Sequence, residues 1–401
     1  MRLWPSALLL GAASLAWAVP SPSDQWPARD AGLDPAGWSA AFPNSSNLLR
    51  RNLGAQIEAG DDAGARQSLG RLAAMGYALS PAGQDQTARW LDPVIRNSFA
   101  ANAAPKGQPS EAGSVPAEFG LVEAITYSGS LRIASGVTAQ DLLISRDGRR
   151  WNRLSLAGLG SITGLVRDRK SGLVWAASGI FEQTPRSTGA FSGLILVDPR
   201  HGQVLRKIAA PAGVVPSDIA LGPDGTVYAS DPLNGGVWLA RPGSKVLEPL
   251  VPPGRFKSPQ GLVVSADGRM LYLSDYGYGL ALIDLPGGQV RRLPGTPAMM
   301  LDGIDGLHRS GNRLIAIQNG TRPIRIAVLQ LAPGGRSIAS MRVILQAPSG
   351  GGEPTSGQII GGRLVYVSNA RWDLFGAGGE PAGSERPGPT VIASIKLVES
   401  R

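Results

Sequence analysis

The sequence contains no cysteine, which excludes disulfide bonds, thiolate nucleophiles and zinc–thiolate sites together. Only 17% of the residues are charged, too few for a coiled coil or an acidic disordered chain. The net charge is +9, but the lysines and arginines are scattered and form no run of five or more, so the charge does not indicate a dedicated nucleic-acid surface. Stability must therefore come from an apolar core, which an apolar fraction of 43% can supply.

The only long apolar run lies at the N-terminus, in "MRLWPSALLLGAASLAWAVP". Arg2 gives a basic start, a short apolar stretch follows, and Ala16-Trp17-Ala18 has the small-x-small pattern of a cleavage site. A membrane anchor is the alternative, but the apolar run is short for a bilayer span. We predict a cleavable signal peptide over residues 1–18, and hence a periplasmic or secreted protein.

Residues 19–99 have helical periodicity. Two neighbouring segments each place apolar residues on one face, and Gly60 and Pro81 end them. The pair is similar to a single tetratricopeptide-like helical hairpin, which cannot bury its own apolar face. We therefore expect it to pack on the rest of the protein or on a protein partner. Residues 100–116 have the composition of a linker.

From residue 117 to residue 401 the period changes to two and a repeat appears six times. Each copy has two short strands around a turn glycine, and a third strand follows. The turn glycines are Gly129, Gly172, Gly225, Gly268, Gly311 and Gly362. Their spacing near 43 residues predicts an all-β six-bladed β-propeller with a small helical N-terminal region. The last blade lacks an outer strand unless the chain around residues 115–119 supplies it.

Equivalent residues of the repeats should form rings around the central channel. Alignment of the first strands gives an inner ring of Glu123, Thr163, Ser217, Gln260, Asp305 and Ser356. The second strands end at the same mouth with Ser135, Ser178, Asp231, Asp275, Asn319 and Asn369. We expect Asp231 and Asp275 to bond backbone N–H groups locally.

The inner ring contains two carboxylates, Glu123 and Asp305, and leaving both ionised and unpaired in a narrow channel is costly. A hard cation is the simplest partner. Two carboxylates and the carbonyl of Gln260 are oxygen ligands, which suit Ca²⁺ or Mg²⁺.

The phrases "VEAITY", "PQGLVVSADGRMLYLSD" and "IDGLHRSGNRLIAI" resemble the regucalcin and gluconolactonase family and, more distantly, paraoxonases and strictosidine synthase. The resemblance covers the propeller and none of the helical region. It implies a divalent cation in the channel, with Ca²⁺ expected, and hydrolysis of a lactone or ester. By position, the family's metal ligands fall on Glu123, Gln260 and Asp305. Gln260 departs from the family, which has Asn there, and its carbonyl lies about one bond length further out.

The resemblance further implies that the cation polarises a carbonyl and acidifies a water, with Asp305 or Asp218 taking the proton. Ser217, His308, Asn319 and Asn369 are the candidate substrate-binding residues. Strand alternation predicts that His308 points opposite to Asp305, or lies at another depth if the strand bulges.

Two further functions stay open at this stage. One is a non-catalytic propeller that binds a ligand or a protein partner. The other is a quinone-dependent sugar dehydrogenase, for which the sequence shows no identifiable channel base or cofactor-clamping Arg and Lys. A Ser-His-Asp hydrolase is disfavoured because no G-x-S-x-G elbow is present.

Overall fold

The computed structural model describes residues 25–28, 30–186 and 188–397. The predicted signal peptide, residues 1–18, lies outside the described residues. The prediction of a six-bladed β-propeller with a small helical N-terminal region is confirmed. No helix of the described ranges is long and apolar enough to cross a membrane.

Within the part of the chain that the structure describes, five α-helices precede the propeller, and each begins with a capping side chain that accepts a hydrogen bond from the first turn. The helices are α1 (Pro35–Ala41), α2 (Ser46–Glu58), α3 (Asp62–Ala74), α4 (Pro81–Thr87) and α5 (Pro93–Ala103). The caps are Asp34, Ser45, Asp61, Ser80 and Asp92. Helices α2 and α3 form the hairpin, whose buried leucines pack with Phe99 of α5 and with Met300 of the propeller.

Each blade is a four-stranded antiparallel sheet. Blade 1 contains β2 (Val122–Ser128), β3 (Leu131–Gly136), β4 (Asp141–Ser145) and β5 (Asn152–Leu154). Blade 2 contains β6 (Ser161–Arg167), β7 (Val174–Gly179), β8 (Gly193–Asp198) and β9 (Gln203–Ala209). Blade 3 contains β10 (Ile219–Leu221), β11 (Val227–Asp231), β12 (Gly236–Ala240) and β13 (Glu248–Val251). The innermost strand of each blade is named first.

Blade 4 contains β14 (Pro259–Val264), β15 (Met270–Asp275), β16 (Gly279–Asp284) and β17 (Gln289–Arg292). Blade 5 contains β18 (Ile304–Ser310), β19 (Arg313–Gln318), β20 (Arg325–Leu331) and β21 (Ile338–Gln346). Blade 6 contains β22 (Gly357–Ile360), β23 (Arg363–Val367), β24 (Thr390–Lys396) and, as its outer strand, β1 (Ser110–Val115).

The ring therefore closes with a strand from before blade 1, as predicted, but that strand is Ser110–Val115 and shares only Val115 with the predicted residues 115–119. The outer strand ends at Val115, and Ala117–Phe119 forms a 3₁₀ turn after Pro116, which has no N–H to continue the ladder. The predicted linker over residues 100–116 is also wrong, because it contains the end of α5 and the whole of β1. Its polar composition suits an edge strand as well as a linker.

The core lies between the blades. Six clusters of buried apolar side chains each join residues of two adjacent blades, as where Trp175 of blade 2 and Trp238 of blade 3 share one cluster. Burial of both faces of every sheet explains the near-continuous apolar inner strands. The blades stabilise one another, and closure leaves no wide gap in the ring.

The helical region is joined to blades 4 and 5. Asp302 accepts hydrogen bonds from the backbone N–H groups of Ser46 and Asn47 at 2.9 and 2.8 Å, and from the Ser46 hydroxyl at 2.9 Å. The guanidinium of Arg325, only 2% exposed, donates to the carbonyls of Met75 and Met300. The helices thus lie on the side of the disc where the inner strands begin, here called the first mouth; the inner strands end at the second mouth.

Candidate functional site

The inner strands begin at the first mouth and place one residue of each blade in a ring. Strand register gives the ring as Glu123, Thr163, Ser217, Gln260, Asp305 and Thr355. Thr355 replaces the predicted Ser356, because Gly357 pairs with Tyr366 where Leu307 of blade 5 pairs with Ala316. Blade 5 has Asp305-Gly306 and blade 6 has Ser356-Gly357, and the likeness of these two pairs hides the one-residue offset in the sequence.

Glu123 lies in a bulge of β2, where the register shifts between Val122 and Ile125. The indole N–H of Trp372 donates to its carboxylate Oε2 at 2.6 Å. Burial raises the pKa of Glu123 well above its ordinary value, and the charge of Asp305 raises it further, while the bond from Trp372 lowers it. A carboxylate in this state gains free energy from a cation.

Asp305 begins the corresponding bulge of β18. The amide of Asn319 donates to its carboxylate Oδ2 at 2.7 Å, and the hydroxyl of Tyr276 in turn donates to the Asn319 carbonyl at 2.8 Å. Burial raises the pKa of Asp305, the Asn319 bond lowers it, and the charge of Glu353 raises it. The chain from Tyr276 through Asn319 fixes the orientation of this carboxylate.

Gln260 occupies the third predicted ligand position, at the start of β14. Its amide nitrogen donates to the hydroxyl of Ser258 at 3.1 Å. Because the nitrogen is used in this way, the carbonyl oxygen is the atom of the amide left to act as a ligand.

Asp218 adds a third carboxylate to the channel, one position deeper than Ser217. Register places it where three other blades have Gly164, Gly261 and Gly306. A Cβ at any of those glycines would clash with a carbonyl of the next blade's ring residue. Burial raises the pKa of Asp218 from 3.8 to about 8, with a further contribution from Asp305. This carboxyl is therefore protonated at neutral pH.

His308 faces the channel one step further in, on the same strand as Asp305. The register shift between Ile304 and Leu307 supplies the bulge that alternation alone does not predict. Burial lowers the pKa of His308 to about 4, so the ring is neutral near pH 7. Its Nε2 is buried and has no hydrogen-bond partner among the described residues.

The other predicted residues divide between structural and positioning roles. The carbonyl of Ser217 accepts from the Gly164 N–H and the Thr163 hydroxyl and so joins blades 2 and 3. Asn369 accepts from the Val391 N–H at 2.6 Å and donates to the Pro389 carbonyl, which fastens β24. Direct substrate contact by Ser217, Asn319 or Asn369 stays a prediction.

Asp231 and Asp275, at the ends of the second strands, bond locally. Asp231 accepts from the backbone N–H and side-chain amide of Asn234. Asp275 accepts from four backbone N–H groups, those of Lys257, Ser258, Gly277 and Tyr278. Both carboxylates therefore hold the loops of the first mouth.

The repeat alignment missed three residues of the site, Trp372, Tyr276 and Glu353. Each lies in a segment outside the repeated strands: Tyr276 follows β15, Glu353 precedes β22, and Trp372 follows β23. A repeat carries no signal for residues that occur in one blade only. The charge of Glu353 raises the pKa of both Glu123 and Asp305.

Within the described ranges, no three His, Cys, Asp or Glu side chains are grouped so that they could hold a metal ion. A cation at the first mouth would therefore rest on two carboxylates, a neutral amide oxygen and water. That donor set fits Ca²⁺, which accepts carboxylate, amide and water oxygens together.

No family model matches this sequence, and no curated protein matches it either. Solved structures of similar fold include the PQQ-bound aldose sugar dehydrogenase of Streptomyces coelicolor (15% identity, 73% of this chain and 99% of that chain, TM-score 0.48). Others are a catalytically inactive variant of virginiamycin B lyase from Staphylococcus aureus with quinupristin (16%, 69% and 80%, 0.46) and a candidate gluconolactonase (17%, 74% and 95%, 0.45). Similarity at this level concerns the fold and assigns no activity to this chain.

Proposed function

We propose that the first mouth binds a divalent cation, Ca²⁺ in the first instance, and that the protein hydrolyses a small lactone or ester there. The observation behind this proposal is electrostatic. The charge of Asp305 raises the pKa of the buried Glu123, the charge of Glu353 raises the pKa of both, and no cationic side chain of the described ranges lowers the pKa of either. Such a cluster is costly without a counter-ion.

The ligands proposed for the cation are the carboxylates of Glu123 and Asp305 and the carbonyl of Gln260. Arg371, whose charge lowers the pKa of Glu353, is already paired with Asp373 and Glu385 at 2.8 Å each. When bound, the cation would polarise the substrate carbonyl and make a water more acidic.

The protein's own groups then have separable tasks. Asn319 and Tyr276 hold the Asp305 carboxylate in one orientation, so that it can accept a proton from an attacking water. Asp218, protonated at neutral pH, can donate a proton to the departing alkoxide oxygen. Two carboxyl groups whose surroundings push their pKa values apart are the usual basis of such an acid–base pair.

The decisive experiment measures binding and hydrolysis separately. Purified protein is titrated calorimetrically with Ca²⁺ and Mg²⁺, and then assayed on a panel of γ- and δ-lactones and aryl esters. We expect Glu123→Gln and Asp305→Asn each to lower cation affinity at least about tenfold, since each removes a charged ligand. Asp147→Asn, at an exposed turn carboxylate, is the matched control and should change nothing.

Protein that binds neither cation would refute the proposed site. Protein that binds Ca²⁺ but hydrolyses no member of the panel would instead support the second candidate, a non-catalytic propeller. One observation favours that candidate: a cavity of about 770 Å³ is lined by Asp218 and His308 but not by Glu123, Gln260 or Asp305.

Export to the periplasm or beyond is also a proposal, based on the predicted signal peptide at residues 1–18. N-terminal sequencing of the protein purified from its native host tests it. A mature chain that begins after Ala18 supports export, and an intact N-terminus contradicts it.

A further inference from the structure

The central channel has a cavity on the side of the second mouth, away from the candidate cation site. Here lies the cavity of about 770 Å³, a size typical of small-molecule sites. Asp218 and His308 mark its inner end. Its outer end is formed by the turns that follow the inner strands of blades 2 to 5.

The wall of this cavity carries apolar side chains as well as polar surface, and its rim is basic. Apolar side chains of five inner strands line it, among them Val166, Leu221, Val263, Leu307 and Ile359. The basic residues of the lining are Arg167, Arg169, Lys170, Arg206 and Arg309. An apolar wall with a few convergent polar groups is the usual composition of a ligand site.

Two polar atoms of the lining residues have no partner. Arg167 Nε and His308 Nε2 are both buried, and neither makes a hydrogen bond within the described ranges. Buried polar atoms are rarely left in this state, because the lost hydration is not recovered. Arg167 is the last residue of β6, and His308 lies near the middle of β18, so they are at different depths in the channel.

Two of the other rim cations are held in place by hydrogen bonds to backbone carbonyls, and two are exposed. Arg309 donates to the carbonyls of Val264 and Gly311, at 2.9 Å each, which fixes its guanidinium across the edge of blade 4. Arg206 donates to the carbonyl of Ser244 at 2.6 Å and lies over the ring of Trp175. Arg169 and Lys170 are exposed and extend the positive charge outward.

Two acidic residues line the cavity. One is hydrogen-bonded within its own turn, and the other lies at the inner end, far from the rim. Asp168 accepts from the Ser171 hydroxyl at 2.6 Å and from the Lys170 N–H at 2.9 Å, so its carboxylate serves its own turn. Asp218 lies at the inner end, on the side of the first mouth. Among the lining residues, five cations therefore face one rim carboxylate, that of Asp168; Asp224 and Asp267 lie in neighbouring turns but do not line the cavity.

We propose that the second mouth binds a small organic anion bearing carboxylate or phosphate groups, with Arg167 as its principal charged contact and His308 as a hydrogen-bonding contact at the inner end. Guanidinium groups bind both anions through paired N–H donors. The apolar wall would then contact the carbon skeleton of the ligand. This site is separate from the proposed cation site and does not depend on hydrolysis.

Isothermal titration calorimetry with the full-length protein tests the proposal, with citrate as the carboxylate probe, pyrophosphate as the phosphate probe and trimethyl citrate as the neutral analogue. The ionic strength is held constant, because screening weakens exposed charges. We expect at least one anion to bind with a Kd below about 1 mM and the neutral ester to bind at least about tenfold more weakly. The preferred probe identifies the anion class.

Variants locate the binding. Arg167→Met should weaken the preferred anion at least about tenfold and His308→Phe about threefold or more. Arg149→Gln, an exposed arginine of the β4–β5 turn, is the matched control and should have no effect. If Arg167→Met does not fold, as judged by circular dichroism, the double variant Arg169→Gln with Lys170→Gln is tested instead. Both residues are exposed, and their loss should weaken binding about threefold.

Three results would overturn the proposal: no binding of either anion up to about 10 mM, equal binding of trimethyl citrate, or unchanged affinity in the folded variants. Glu123→Gln should leave anion affinity unchanged while it weakens the proposed cation binding at least about tenfold. The two sites can therefore fail independently.

Discussion

Asp218 gives the stability of this protein a predicted dependence on pH. In the folded chain burial raises its pKa from 3.8 to about 8, whereas in the unfolded chain water restores the ordinary value. Between these two values the folded protein holds a proton that the unfolded chain releases. The free energy of unfolding should therefore fall as the pH rises through this window and level off above about pH 8.

The magnitude follows from the two pKa values. One proton contributes about 1.4 kcal/mol for each pH unit, so a window of roughly four units gives at most about 6 kcal/mol. Asp218→Asn mimics the protonated acid in shape and cannot ionise. The variant should match the wild type near pH 4 and exceed its stability by several kcal/mol near pH 8.5.

The assay is urea unfolding of both proteins at pH values from 4 to 9, without divalent cations, and the measured quantity is the difference between their free energies of unfolding. Taking the difference cancels the contributions of acids whose pKa does not depend on the charge of Asp218. Asp147→Asn is the control, because backbone hydrogen bonds lower the pKa of Asp147 to about 2 and it does not titrate in this window. A difference between Asp218→Asn and wild type that stays constant from pH 5 to pH 9 would refute the burial of this charge.

Three further substitutions test contacts that hold the parts of the site in place. Asp302→Ala removes three hydrogen bonds to the start of α2 and should lower the free energy of unfolding, measured in urea, by about 3 kcal/mol. The α3 cap variant Asp61→Ala is the control and should cost about 1 kcal/mol. Equal losses would show that Asp302 does not join α2 to the propeller. Trp372→Phe removes the donor to Glu123 and should raise the pKa of that carboxyl, read by carbon-13 NMR titration; an unchanged pKa would show that the bond is not formed in solution. Gly306→Ala sets a Cβ against the carbonyl of Thr355 and should lower the free energy of unfolding by about 2 kcal/mol or more. In the control Gly54→Ala, in α2, the added Cβ contacts nothing, and the protein should become slightly more stable. Tolerance of Gly306→Ala would contradict the close approach of blades 5 and 6.

The six blades could be predicted because each one repeats a local pattern. Asp-Gly turns, alternating apolar residues and a period near 43 residues are all contained within one repeat. The alignment of repeats also identified Glu123, Gln260 and Asp305 as equivalent positions, since strand starts are fixed by the same turns. These features depend on neighbours in the chain, which the sequence shows directly.

The detailed site depended on contacts between blades. The bulges in β2 and β18 set which side chains enter the channel, and they follow from the close approach of adjacent inner strands. For this reason His308 joins Asp218 in one cavity, and Thr355 takes the ring position expected of Ser356. Trp372 and Tyr276 reach the carboxylates from single loops that no repeat could reveal.

The primary structure by itself determined the number of blades, the absence of thiol chemistry and the residue types at the first mouth. Only the tertiary structure decided their protonation, because the pKa of a carboxyl depends on burial and on charges distant in sequence. It also decided that scattered arginines meet at the second mouth. Arg167, Arg169, Lys170 and Arg206 all belong to blade 2, and ring closure brings Arg309 of blade 5 to the same rim.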